Sequence, residues 1–183
     1  MIKDIVVRAY TFAEKAHEGV ERKFSGLPYF THVKYVARVL EHLRQDEEVV
    51  AAGFLHDIIE DTHHTYDDIK LAFGERVADI VLGVTSDGDA MREAGGKRHY
   101  LAQKMVDMLE DSLTVKLADR FHNVLFLEGD ETPKEFIKKY YKETKFILFS
   151  IEESERHISE AQRALVDRIS AILEFLRIRY GFV

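Results

Sequence analysis

The stretch Phe54-Leu55-His56-Asp57-Ile58-Ile59-Glu60-Asp61 sets one imidazole and three carboxylates close together in an otherwise apolar segment. At about 3.6 residues per helical turn, His56 lies above Glu60 and Asp57 above Asp61. Two adjacent polar stripes then emerge from a face that Phe54, Leu55, Ile58 and Ile59 would bury. Carboxylates crowded into an apolar setting repel one another and lose hydration, so something positive must sit among them. A divalent cation is an economical answer, because imidazole and carboxylate are both metal ligands. The alternative for these eight residues is a negatively charged helix end facing water.

Three further places match this stretch in kind. His32 follows Pro28-Tyr29-Phe30-Thr31 near the start of a helix, where a lone histidine is ordinarily a capped or core residue. In Leu117-Ala118-Asp119-Arg120-Phe121-His122-Asn123, Asp119 and Asn123 stand one turn apart in a largely apolar segment. A buried Asp there needs a partner, and a structural ion pair with Arg120 competes evenly with a metal role. Glu21-Arg22-Lys23-Phe24-Ser25-Gly26 carries a basic pair in a glycine-bearing loop, whose ordinary reading is two solvated charges. His63 and His64 fall in a polar turn and read as solvated, and His17 reads as structural.

The elements that must hold these residues are helical. The chain has 2 prolines and long runs of helical periodicity, which predict an all-α fold. Helices are expected from Ile2 to His17 and from about Pro28 to Leu43, and a third, capped by Asp46, ends with the opening stretch. Thr65 and Asp68 cap a short fourth helix that stops at Gly74, and Val77 to Val84 forms a fifth. Ser86 to Gly96, with Gly88, Gly95 and Gly96 amid charges, reads as a mobile surface loop. Helices follow at Lys97–Leu109 and Leu113–Leu127. Thr132-Pro133-Lys134-Glu135 signals a capping box with proline at the first helical position, opening a helix to about Phe149. A last helix runs from near Glu155 to Tyr180, with Ile158, Ala161, Leu165, Ile169, Ile172, Leu173 and Leu176 inward. No repeat or linker interrupts the pattern, so one domain over residues 1–183 is expected.

Composition narrows the class. The 183 residues are 46% hydrophobic and 32% charged, which suits a compact fold with a sizeable core. No apolar run approaches the length of about 18 residues that a membrane span needs, and Met1-Ile2-Lys3-Asp4 is unlike a secretory signal. The absence of cysteine excludes disulfide and thiol chemistry and is compatible with a reducing, cytoplasmic setting. A formal net charge of −7 argues against a nucleic-acid polymer as partner. A small anionic ligand remains open, since a local cluster of Lys and Arg can bind phosphate on an acidic protein.

In order along the chain, His32, His56-Asp57 and Asp119 resemble the HD superfamily of metal-dependent phosphohydrolases. The match is closest to the hydrolase domain of the RelA/SpoT enzymes and the stand-alone small alarmone hydrolases. It is carried by Ala16-His17-Glu18-Gly19, by Arg22-Lys23-Phe24-Ser25-Gly26-Leu27-Pro28-Tyr29 with His32, and by Leu55-His56-Asp57-Ile58-Ile59-Glu60-Asp61-Thr62. Phe73-Gly74 with Val77-Ala78, Gly83-Val84-Thr85, and Lys116-Leu117-Ala118-Asp119-Arg120 with Asn123 complete it. A lone His-Asp doublet is weak evidence; the downstream Glu-Asp pair with the upstream Arg-Lys loop is specific. Two departures stand out: Val33 follows His32 where the family often has proline, and Ser86-Asp87-Gly88-Asp89 is unlike the synthetase-bearing relatives.

The resemblance implies an HD-type helical bundle in which His32, His56, Asp57 and Asp119 hold one divalent ion, Mn²⁺. Two imidazoles and two carboxylates suit a borderline-hard ion with positions open for water and a phosphate oxygen. It implies that Glu60 and Asp61 orient or deprotonate the attacking water. The implied substrate is guanosine 3′,5′-bis(diphosphate) or its 5′-triphosphate relative, cleaved to release the 3′ pyrophosphate. Arg22 and Lys23 would grip phosphate, with Arg92 or Lys97 over the phosphates, Asn123 on the nucleotide near the metal, and Tyr140 or Tyr141 against ribose or base. Two alternatives remain: an HD hydrolase of another nucleotide, such as a 5′-nucleotidase or an adenine-based alarmone hydrolase, and a helical module that senses nucleotide without turnover.

Overall fold

A computed structural model describes residues 4–128 and 131–182. Within them the regular elements are α-helices, joined by one isolated bridge between Glu21 and Pro28. The expected all-α fold is what is found. The helices gather into two compact units, Met1–Thr85 and Ser86–Val183.

In the first unit, α1 (Asp4–Ala16), α2 (Phe30–His42) and α6 (Glu75–Val84) pack around α3 (Glu47–Leu55). The first residues of the helix expected from Ile2 lie outside the described residues. Every side chain of α3 from Val49 to Leu55 is buried, as befits a helix apolar on all sides. Asp46 starts it as the spacing predicts, its carboxylate accepting from the Glu48 and Val49 amides. Gly53 lets α2 come close: a Cβ there would lie 3.1 Å from the Ala37 Cα and 2.5 Å from the Leu40 Cδ1. The helix then breaks at His56-Asp57 before the short α4 (Ile58–Asp61), so the continuous helix expected through Asp61 does not form. α5 (Tyr66–Phe73) carries the expected Thr65–Asp68 capping box and stops at Gly74, where φ is 94°.

In the second unit, α9 (Glu110–Leu125) is buried along nearly its whole length, with α10 (Lys134–Glu153) and α11 (Glu160–Tyr180) against it. α8 (Lys97–Asp107) packs on α10. Arg156, between α10 and α11, donates to the carbonyls of Met105, Val106 and Met108, which the end of α8 leaves unpaired. Three expectations are corrected. The segment read as a loop holds α7 (Gly88–Glu93), because Asp87 accepts from the Asp89 and Ala90 amides while Gly95 and Gly96 only end it. Pro133 occupies the cap position of α10 in extended conformation, and no side-chain cap forms. Glu155, at φ 53°, turns the chain and cannot begin a helix, so α11 starts later, at a Ser159–Gln162 capping box.

Candidate metal centre

The break between α3 and α4 is what makes the centre. On a regular helix, neighbouring side chains point about 100° apart and do not face one another. Asp57 instead adopts φ −101° and ψ 0°, the sparsely populated bridge region where active-site residues often sit. As a result His56 Nε2 lies 3.0 Å from Asp57 Oδ2. His32, in the first turn of α2, brings its Nε2 to 3.2 Å from His56 Nε2 and 3.6 Å from the same Asp57 oxygen. Both histidines are buried.

Hydrogen bonding decides what these atoms present. His56 Nδ1 lies 2.9 Å from the Gly53 carbonyl oxygen. A carbonyl only accepts, so the proton belongs on Nδ1 and the Nε2 lone pair faces inward. That lone pair confronts a carboxylate oxygen and a second imidazole nitrogen. A cation placed among these three atoms would be met by all of them. Donors about 2.0–2.2 Å from a small divalent ion and about 90–110° apart stand about 2.8–3.6 Å from one another, a range that holds all three separations. The donor set fits a divalent ion.

The acidic pair sits at the rim. Glu60 and Asp61 are exposed on α4, and the Asp61 amide still donates to the Asp57 carbonyl, so that half of the expected i,i+4 register survives. Partial desolvation of the Asp61 carboxyl and the Asp57 charge beside it push the Asp61 pKa up. Arg22 and Lys23 lie in a tight reversal in which the Arg22 amide donates to the Leu27 carbonyl and Lys23 Nζ rests 5.1 Å from the Phe24 ring centre. His64, read as solvated, is half-buried with its ring 4.7 Å from that of Phe12. Tyr29 was not singled out by type or spacing. Its hydroxyl donates to Asp57 Oδ2 at 2.6 Å, and the available signal was its place three residues before His32.

The other candidates belong to the second unit. Asp119 is buried on α9, its Oδ2 3.2 Å from Lys116 Nζ and its Oδ1 accepting from Asn123 Nδ2 at 2.5 Å. Asn123 is therefore engaged with Asp119. Arg120 is not the partner of Asp119 but of Glu143, at 2.9 Å. Tyr140 lies beneath the Arg120 guanidinium at 4.7 Å, and burial pushes its phenol up to about 12. Tyr141 is a core residue, buried against Phe182. Arg92 is exposed and paired with Asp89. Lys97 helps line a cavity of about 600 Å³ with Gly96, Arg98, Lys138, Lys139 and Lys142. Among the described residues, no carboxylate pairs with those five cations.

Residues 9–150 match the family model described as the HD domain. The chain is 38% identical over 138 residues to a guanosine-3′,5′-bis(diphosphate) 3′-pyrophosphohydrolase of Aquifex aeolicus, covering 73% of this chain and 20% of that protein. It is 41% identical over 121 residues to the bifunctional (p)ppGpp synthase/hydrolase SpoT of Escherichia coli, covering 64% and 17%. A GTP pyrophosphokinase of Myxococcus xanthus is 37% identical over 132 residues, covering 68% and 17%. The chain thus spans about a fifth of the length of the curated relatives it matches. In fold it is similar to a metazoan ortholog of SpoT described as hydrolysing ppGpp, with a TM-score of 0.80 at 22% identity, over 93% of this chain and 96% of that one. An HD domain implies a divalent metal, and the His32, His56 and Asp57 donors could hold one. The convergent imidazoles and carboxylate, with the match over residues 9–150, establish that the chain belongs to the HD-domain family.

Proposed function

We propose that this chain removes the 3′ pyrophosphate from guanosine 3′,5′-bis(diphosphate) or its 5′-triphosphate relative, leaving GDP or GTP. The observation that carries this reading is the meeting of His32 Nε2, His56 Nε2 and Asp57 Oδ2 around a space suited to one cation. The names of relatives that are 38–41% identical indicate which phosphohydrolase to test. In this reading Asp119 is the fourth ligand, the two units act as one hydrolase domain over residues 1–183, and the ion is Mn²⁺. When bound, the ion supplies Lewis acidity, lowering the pKa of water and offsetting phosphoryl charge.

The remaining roles fall to side chains. Water adds to the phosphorus beside the 3′ oxygen, the P–O3′ bond breaks, and the 3′ oxygen leaves with a proton. Glu60 and Asp61 orient that water and take its proton. Asn123 holds Asp119 in orientation, which in this proposal replaces the direct nucleotide contact expected of it. Lys97 is the better phosphate candidate than Arg92, since Asp89 already engages Arg92. The cations beside Lys97 outnumber Glu135 and Glu143 in the same cavity wall and attract a polyanion, and Arg22 and Lys23 add to the grip. Tyr140, part-buried where Tyr141 is fully buried, is the candidate for ribose or base. A small anionic nucleotide in the cytoplasm is the partner this chemistry implies.

The test is a nucleotide panel with Mn²⁺. Pyrophosphate released from guanosine 3′,5′-bis(diphosphate) is expected; orthophosphate from 5′-monophosphates alone would move the activity to another class. Glu60→Ala should lower kcat by about 10²–10⁴-fold while Mn²⁺ binding persists. Asp57→Ala should abolish both.

A further inference from the structure

Tyr29 is clamped from both sides. Its amide donates to the Val20 carbonyl at 2.8 Å, and its carbonyl accepts from the His32 amide at 2.8 Å. The Glu21–Pro28 bridge closes the loop just before it. Its ring packs 5.0 Å from the ring of His17 and 5.6 Å, edge-on, from that of His32. His17 is buried, and neither of its ring nitrogens has a hydrogen-bond partner among the described residues. That imidazole serves as a wall that fixes the tyrosine ring. The ring in turn fixes the hydroxyl, which donates to Asp57 Oδ2 at 2.6 Å.

A phenol has one proton to give. It goes to Oδ2 of Asp57, which is also the atom that His32 and His56 face. We infer that Tyr29 is a positioning residue of the metal centre, its hydroxyl aiming the Asp57 oxygen at the cation. Without the hydroxyl, the carboxylate can rotate away from the two imidazole nitrogens, and the ordering that the clamp supplies must come from ion binding itself. The inference rests on reading Asp57 as a ligand.

The experiment is Mn²⁺ calorimetry on Tyr29→Phe with no nucleotide present, beside the thermal midpoint in chelator and kcat and KM with guanosine 3′,5′-bis(diphosphate). Removal of a group that orients a ligand weakens metal binding by about 10–100-fold. That loss is expected, with an unchanged metal-free midpoint, an unchanged KM, and kcat restored by excess Mn²⁺. Tyr29→Leu, which also removes the ring, should weaken Mn²⁺ binding at least as much. If Tyr29→Phe binds Mn²⁺ within twofold of the parent, or if only Tyr29→Leu weakens it, ring packing is the whole role and the inference falls. Failure of the parent chain to hydrolyse the nucleotide with its Mn²⁺ titration intact counts against the proposed activity and leaves the Tyr29 result standing.

Discussion

Each unit contains a cluster of buried polar groups, and the two are finished differently. In the second unit, Arg120 Nη1 donates to Glu143 Oε1 at 2.9 Å and to Thr144 Oγ1 at 3.4 Å, with the Tyr140 ring over its guanidinium. Positive charge meets negative within the protein, both side chains almost wholly buried. In the first unit, two imidazole nitrogens and a carboxylate oxygen face one another within 3.6 Å, and the Gly53 carbonyl has already claimed the proton that His56 could have offered. In charge, one cluster is closed by its own side chains, although Arg120 Nε has no hydrogen-bond partner among the described residues. The other has a donor set that could hold a cation. A buried ionic residue in sequence does not distinguish the two cases; the direction in which its neighbours point does.

Breaking the closed cluster should have the largest effect. Arg120→Met leaves Glu143 buried without its partner and should cost about 3–5 kcal/mol in urea unfolding. Asp57→Asn, measured in chelator at the same pH, should cost less than about 1 kcal/mol, because the amide oxygen still accepts from Tyr29 while a charge facing lone pairs is removed. Equal losses would erase the distinction between the clusters. Gly53→Ala comes next. The new methyl group meets Ala37 backbone at 3.1 Å, and overpacking of this kind costs about 1–3 kcal/mol. Since α2 carries His32 and α3 leads to His56, the variant should also bind Mn²⁺ more weakly, which calorimetry would read.

The smallest effect sharpens the contrast through pH. Burial holds the His17 pKa below its ordinary 6.5. A group depressed on folding stabilises the fold fully above its unfolded value, and that contribution is lost as pH falls through the folded one. Metal-free protein should therefore lose stability as the pH drops below 6.5, and His17→Phe should flatten that slope. A slope identical in the variant would show that other groups produce it.

Much of the local structure was legible. The caps at Asp46 and Thr65 and the stop at Gly74 were predicted correctly, because each is satisfied by atoms a few residues away. The inward stripe of α11 at Leu165, Ile169, Leu173 and Leu176 follows from helical period alone. Short-range rules also misled. Thr132-Pro133 suggested a capping box, but Pro133 itself takes the cap position; glycines suggested a loop where Asp87 starts a helix. Sequence leaves an Arg120–Asp119 pair even with a metal role for Asp119, whereas the partner of Arg120 lies 23 positions away.

The chemistry divides along the same line. Residue types and spacing by themselves determined that His56, Asp57, Glu60 and Asp61 form one polar group in an apolar segment, since neighbours in sequence stay neighbours in any fold. Only tertiary structure decided that the helix must break for the doublet to converge, that His32 would meet it, and that Tyr29 would hold its carboxylate. Separations near 3 Å between atoms 24 and 28 residues apart depend on how α2 seats against α3 at Gly53. Periodicity specifies which face a helix buries; the distance at which two buried faces stop is set by the side chains that fill the gap.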